Sequence, residues 1–261
     1  MIYLATEPAP VNHPTVSLGC GNWCTFNYDS LISSGISIVI TIAVAIYVAR
    51  MLDSQKPGRL QALFEWMFSY VRTASKDTAP DATAFVVPLA ATIGFYILVA
   101  NWIDFLPISL IPYVHPANTD LNQTLAMGVV VFLVVQWYTF RIHGPKGYAG
   151  YFFWDRPHDV PMPWRLLFVP LNIIDEIVKP VTLSMRLFGN LFAGLLMAYV
   201  IVLLLGNLPY VGSWLLGPIV LAVWKLFDVG FIGLIQAFIF MLLTITYFGL
   251  AREGLEAEHA H

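Results

Sequence analysis

The sequence predicts an all-α integral membrane protein with five crossings, its N-terminus outside and its C-terminus inside. Composition is the first ground. Of 261 residues, 58% are hydrophobic and 11% charged, whereas soluble domains are about 25% charged. Mean hydropathy is +0.73, and 13 Lys+Arg with 16 Asp+Glu are too few to cover a soluble surface. The second ground is a series of uncharged stretches near the roughly 20 residues that cross a bilayer core of about 30 Å. The third is the alternation of basic residues between successive connections.

Other classes are excluded on the same terms. A net charge of −3 without a basic cluster does not fit a nucleic-acid binder. Two cysteines make neither a disulfide scaffold nor a Cys-rich metal site. There is no glycine-rich phosphate loop and no His-Glu-x-x-His pair, so no cofactor or metal is expected.

Residues 1–29 form an external segment without Lys or Arg, hence without the basic region of a signal peptide. Within it, Cys20 and Cys24 face an exterior that permits a disulfide. Residues 30–252 are expected to make a single membrane domain. Its first span is Ser30 to Ala49, its second Ala82 to Ile103, its third Leu121 to Phe140. Leu187 to Trp224 is uncharged but interrupted at Asn207-Leu-Pro209, and the last uncharged stretch is Val229 to Ala251. Arg50, Lys56, Arg59, Arg72 and Lys76 follow the first span, and Arg141, Lys146, Arg156 and Arg165 follow the third. Connections 104–120 and 207–213 contain no Lys or Arg. Positive charge belongs on the cytoplasmic side, which sets the orientation. Residues 253–261 are a cytoplasmic tail, read as a solvated end despite His259 and His261.

Between the first two spans, Leu60, Leu63, Phe64, Met67 and Val71 recur at helical spacing among Arg59, Glu65, Arg72 and Lys76. This reads as an amphipathic helix on the cytoplasmic surface; a helix packed on another subunit gives the same pattern. The last two helical segments, from Leu166 and from Trp214, would run about 55–60 Å if straight, too much for ordinary tilt to absorb. Either each is broken, for instance at Lys179-Pro180, or both lie steeply inclined as a hairpin. The hairpin is preferred, and it would present one long side to a partner in the membrane.

Ionisable groups inside spans cost about 2.5–3.5 kcal/mol each on insertion scales and mark function by default. Arg186 lies deep in an apolar run with no acid within four residues on its C-terminal side. A guanidinium stays protonated, so its partner must come from elsewhere. Asn190, Gly189, Ala193 and Met197 continue its face, and small residues admit a close partner helix. Asn101 and Asp104 close the second span, while Asp120 and Asn122 open the third. Asp228 and Gln236 are about 80° apart around an α-helix, so both can face one cavity, although Asp228 is also placed to pair with Lys225. Asp175 and Glu176 precede Arg186 on the cytoplasmic half. Acids reachable from opposite sides, parted by a permanent positive charge, suit two offset aqueous half-paths. A secondary transporter that holds an anionic substrate on Arg186 is the alternative, and it would be expected to show repeat symmetry.

Lys179-Pro180-x-x-Leu-x-x-Arg186-Leu-Phe-Gly-Asn190, then Gly233-Leu-Ile-Gln236 and Leu243-Thr-Ile-x-Tyr247, resembles subunit a of the F-type ATP synthase. Asn101-Trp-Ile-Asp104-Phe-Leu-Pro107 and Asp120-Leu-Asn122 extend the likeness over roughly residues 30–252. The resemblance implies a proton-translocating stator subunit of a bacterial plasma membrane, without a catalytic site of its own. Its partners would be a rotating ring of c subunits and the peripheral-stalk b subunits. Arg186 would be the coupling arginine. Asn101, Asp104, Asp120, Asn122, Asn190, Asp228 and Gln236 would line the outer half-channel, Asp175 and Glu176 the cytoplasmic one. Leu195 and Val229 stand where many members carry a protonatable group, and Asp228 would supply one beside Val229.

Overall fold

The computed structural model describes residues 15–17, 25–52, 58–103, 117–153, 162–207 and 215–258. Asp104, Cys20, Cys24, His259 and His261 lie outside the described residues. A short antiparallel ribbon comes first: β1 (Thr15–Ser17) pairs with β2 (Thr25–Asn27), Val16 opposite Phe26. The rest is helical: α1 (Tyr28–Met51), α2 (Arg59–Thr78), α3 (Thr83–Ile103), α4 (Leu121–Phe153), α5 (Met162–Gly206), α6 (Gly217–Lys225) and α7 (Gly233–Glu258). A seven-residue π turn, Leu226–Ile232, joins α6 to α7.

Among the described residues, five helical stretches are long and apolar enough to cross a membrane: Tyr28–Met51, Pro80–Ile103, Leu121–Tyr148, Val169–Gly206 and Gly217–Arg252. The protein is a multi-pass membrane protein. Runs such as Ile36-Ser-Ile-Val-Ile-Thr-Ile42 are weak helix formers in water. In a bilayer each backbone N–H must find its acceptor within the segment, and the helix does this at every residue. Ile38, Val39, Ile42 and Ile46 of α1 are exposed, as are Met185, Val200 and Leu204 of α5. Apolar outward faces of this kind suit lipid rather than water.

One of the expected boundaries changes. α4 runs past Phe140 and breaks at Gly144, whose φ of 67° is left-handed. Glycine tolerates that conformation, and the following Pro145 has no N–H to continue the ladder. α5, by contrast, is one helix of 45 residues through Pro170 and Pro180, so it is not broken at Lys179-Pro180.

The chain divides into two compact units. The first comprises Met1–Arg50, Phe95–Thr124 and Arg186–Phe238, the second Met51–Gly94, Leu125–Met185 and Ile239–His261. In the second, Phe248 packs edge-on against Tyr138 and Phe85, with ring centroids 5.3 and 6.2 Å away. Gly128 brings α4 against α5: a Cβ there would lie 2.2 Å from Ser184 Oγ and 2.7 Å from the Pro180 carbonyl. The first unit holds most of the buried polar groups developed below.

Candidate functional site

α5 presents two faces from Leu183 onward. Leu183, Ser184, Leu187, Leu191, Gly194 and Ala198 are buried, whereas Gly189, Ala193 and Met197 are exposed. Arg186 sits half-buried on the exposed side. Among the described residues its guanidinium makes no ion pair or hydrogen bond. A Cβ at Gly189 would meet nothing within 4 Å. The face around the arginine is thus open and built of small or flexible side chains.

In the first unit α5 meets polar groups of α6, the π turn and α7 through the exposed Asn190 and the buried Gly194. Asn190 Nδ2 donates to Gln236 Oε1 at 2.7 Å. Trp224 Nε1 donates to the Gly194 carbonyl at 3.1 Å. Asp228 is packed on Gly194 so closely that a Cβ there would fall 2.0 Å from its Oδ2. Asp228 and Gln236 are both buried, at 4% and 3% exposure. The expected 80° offset between them assumed an unbroken α-helix. The π turn carries fewer degrees per residue and sits between them, and both side chains meet the Asn190–Gly194 edge of α5. Such turns are frequent at functional sites.

Asn101 lies fully inside the same unit. Its Nδ2 reaches the Gly233 carbonyl at 3.4 Å, and its Oδ1 accepts from Asn118 Nδ2 at 2.9 Å. Asp120 caps α4: its Oδ1 accepts the Asn122 backbone N–H at 2.9 Å, and its Oδ2 accepts Asn27 Nδ2 at 2.7 Å. The Asn122 side chain is exposed.

The two acids before Arg186 are placed differently. Glu176 is buried, its carboxylate taken by Lys179 Nζ and by Gln136 Nε2, the latter at 2.8 Å. Tyr148 donates to Gln136 Oε1 at 2.9 Å, and Tyr247 donates to the Lys179 carbonyl at 3.2 Å. Glu176 and Lys179 line a small cavity with Thr139 and Tyr247. Asp175 is exposed, 3.7 Å from Lys179 Nζ.

Sequence reasoning missed Asn118, Gln123, Gln136 and Tyr148. Gln123 and Gln136 carried a signal, being amides inside an uncharged span. Asn118 lies outside any span and carried none.

The chain is thus a helical membrane protein with a half-buried arginine on an open face and buried amides and acids in its interior. The family model described as "ATP synthase A chain" matches residues 31–249, and the chain belongs to that family. It is 37% identical to "ATP synthase subunit a" of Mycobacterium tuberculosis (strain CDC 1551 / Oshkosh), over 90% of each chain. With the Mycobacterium ulcerans protein of the same name it shares 35% identity over 98% of each. With that of Acidothermus cellulolyticus it shares 33% over 90% of this chain and 82% of the relative. Family membership gives the chain a part in proton transport and ATP synthesis, in the membrane sector of the F-type enzyme, in complex with its other subunits.

Proposed function

We propose that the chain is the stator subunit that passes protons between two offset half-channels and couples their flow to rotation of a ring of c subunits. The half-buried Arg186, without a partner among the described residues and on an open face, carries the reading. A ring carboxylate arriving at that face is held ionised by the guanidinium and gives its proton to the exit path. At about 4 Å and an effective dielectric of 20 the attraction is about 4 kcal/mol. A potential of 100 mV supplies about 2.3 kcal/mol per charge. The two are comparable, so the contact biases motion without trapping it. The fixed positive charge also repels a proton that would leak directly between the half-channels.

In this scheme Asn101, Asp104, Asp120, Asn122, Asn190, Asp228 and Gln236 serve the outer half-channel, Asp175 and Glu176 the cytoplasmic one. The half-buried Asn190–Gln236 bond and the seat of Asp228 on Gly194 support the first group. The Glu176–Lys179 pair beside a cavity supports the second. Residues 30–252 act as a single membrane domain in a bacterial plasma membrane, N-out and C-in. α2 is an amphipathic helix on the cytoplasmic surface, and the peripheral-stalk b subunits are further partners. α5 and the helix from Gly217 form a steeply inclined hairpin along the ring. Its support is length, since 45 residues of α5 extend about 67 Å at 1.5 Å per residue.

ATP-driven acidification of inverted vesicles tests the proposal. Arg186→Ala in complexes shown to be assembled is expected to abolish pumping, and a normal rate would sink the coupling role.

A further inference from the structure

In the second unit, α2 and the start of α3 enclose a groove of about 880 Å³ to which the scheme above gives no role. α2 ends at Thr78, and the apolar stretch that follows starts at Pro80. The groove therefore straddles the point where the chain enters the bilayer. Its α3 wall is apolar, Ala84, Val87 and Pro88, and reaches about 12 Å beyond Pro80 at 1.5 Å per residue. Its α2 wall carries Phe68, Ser69, Arg72 and Lys76, set on one face by their three- and four-residue spacing. All four are exposed. Trp66 and Tyr70 are exposed as well, their rings 6.3 Å apart, and such aromatics are enriched at headgroup level.

Charge decides what the groove takes. Arg72 and Lys76 stand about one helical turn apart, and neither forms an ion pair with a described residue. Like charges at this spacing destabilise a helix, and an anion bridging them removes the repulsion. The two acids of the groove are otherwise engaged: Asp81 lies 3.4 Å from Arg252 Nη2, and Glu65 accepts from Gln61 Nε2 at 2.7 Å. Glu65 is also two turns of α2 from Arg72, about 10 Å along the axis. A cationic mouth at the bilayer surface over an apolar wall within it matches a molecule with an anionic head and acyl chains. A helix of another subunit would cover the wall but bring no anion to the mouth unless it carried an acid there.

We propose that this groove binds one anionic phospholipid of the phosphatidylglycerol class, its phosphate bridged by Arg72 and Lys76 and its acyl chains laid along Ala84, Val87 and Pro88. The site is separate from the proton path and stands whether or not the half-channel reading holds.

The assembled complex, reconstituted in phosphatidylcholine vesicles with increasing phosphatidylglycerol, tests it. The probe is a phosphatidylglycerol with a photoreactive diazirine on one acyl chain, and its adducts are mapped by peptide mass spectrometry. Each cation beside an anionic lipid multiplies affinity about fivefold, the pair about thirtyfold. Adducts are expected on residues 84–88. In Arg72→Gln/Lys76→Gln the phosphatidylglycerol fraction for half-maximal labelling should rise at least about tenfold. Arg72→Lys/Lys76→Arg, which keeps both charges, should label like the native chain. If the double glutamine variant does not assemble, Lys76→Gln alone should shift the fraction about fivefold. Equal labelling by phosphatidylcholine carrying the same diazirine would reduce the groove to ordinary lipid-facing surface and overturn the proposal. So would labelling that the glutamine variants leave unchanged. No adduct, together with a cross-link from Lys76 to a carboxylate of another subunit, would give the groove to a protein partner instead.

Discussion

Gly194→Ala is the substitution by which the seat of Asp228 is most directly measured. The added Cβ would lie 2.0 Å from Asp228 Oδ2 and 2.6 Å from both its Cγ and Oδ1. Carbon–oxygen contact needs about 3.4 Å, so the nearest atom must retreat by roughly 1.4 Å. Because Cγ clashes as well, rotating the carboxylate about its own axis does not relieve the overlap. Either the whole side chain swings away from α5 or the two helices part. Overpacking of a filled interior costs about 1–3 kcal/mol, and parting the helices would also stretch the 3.1 Å bond from Trp224 to the Gly194 carbonyl. Two assays read the effect: thermal stability of the purified complex, and ATP-driven acidification of inverted vesicles. Gly194→Ala is expected to lower both. Asp228→Ala removes the opposing atoms, so in the double variant the stability loss should shrink by most of that amount while pumping stays low. Non-additivity of this kind marks two residues in contact. If Gly194→Ala assembles with normal stability and pumps at the normal rate, Asp228 does not sit where it has been placed, and its role in the outer path loses its structural support.

Other consequences follow from neighbouring contacts. Lys179→Met leaves the buried Glu176 carboxylate with Gln136 but without its cation; the loss is expected at about 3–5 kcal/mol, seen as reduced thermal stability of the complex. Gly128→Ala pushes a methyl group into Ser184 and the Pro180 carbonyl, and should cost about 1–3 kcal/mol in the same measurement. Asp81→Asn removes the ion pair with Arg252 at 3.4 Å, but the Asp81 side chain is 73% exposed. Such pairs contribute about 0–1 kcal/mol, so stability should be nearly unchanged.

The amphipathic pattern around α2 shows how partial a linear reading is. Its period predicted a helix between the first two spans, and Arg59–Thr78 is one. Yet Val71 is buried alongside Gln61 and Ser75, while the apolar Trp66, Phe68 and Tyr70 are exposed. Spacing placed the helix; the neighbours it packs on were chosen by the fold.

What the sequence determined by itself is whatever a bilayer makes local. Span length is a count of apolar residues set against a fixed thickness, so the five long helices were legible one at a time. Arg186 stood out for the same reason, a charge in a run that lipid would otherwise exclude. Even the resemblance to subunit a rested on short contiguous motifs around it. Tertiary structure decided which polar group meets which. Asn190 finds Gln236 across 46 positions, and Glu176 finds Gln136 across 40. Gly194 closes on Asp228 through a π turn that no hydrophobic period reports. The physical reason is that hydrogen bonds within the bilayer are specified by the approach of two helices. A side chain's own neighbours in the chain tell only that it needs a partner, and packing alone supplies one.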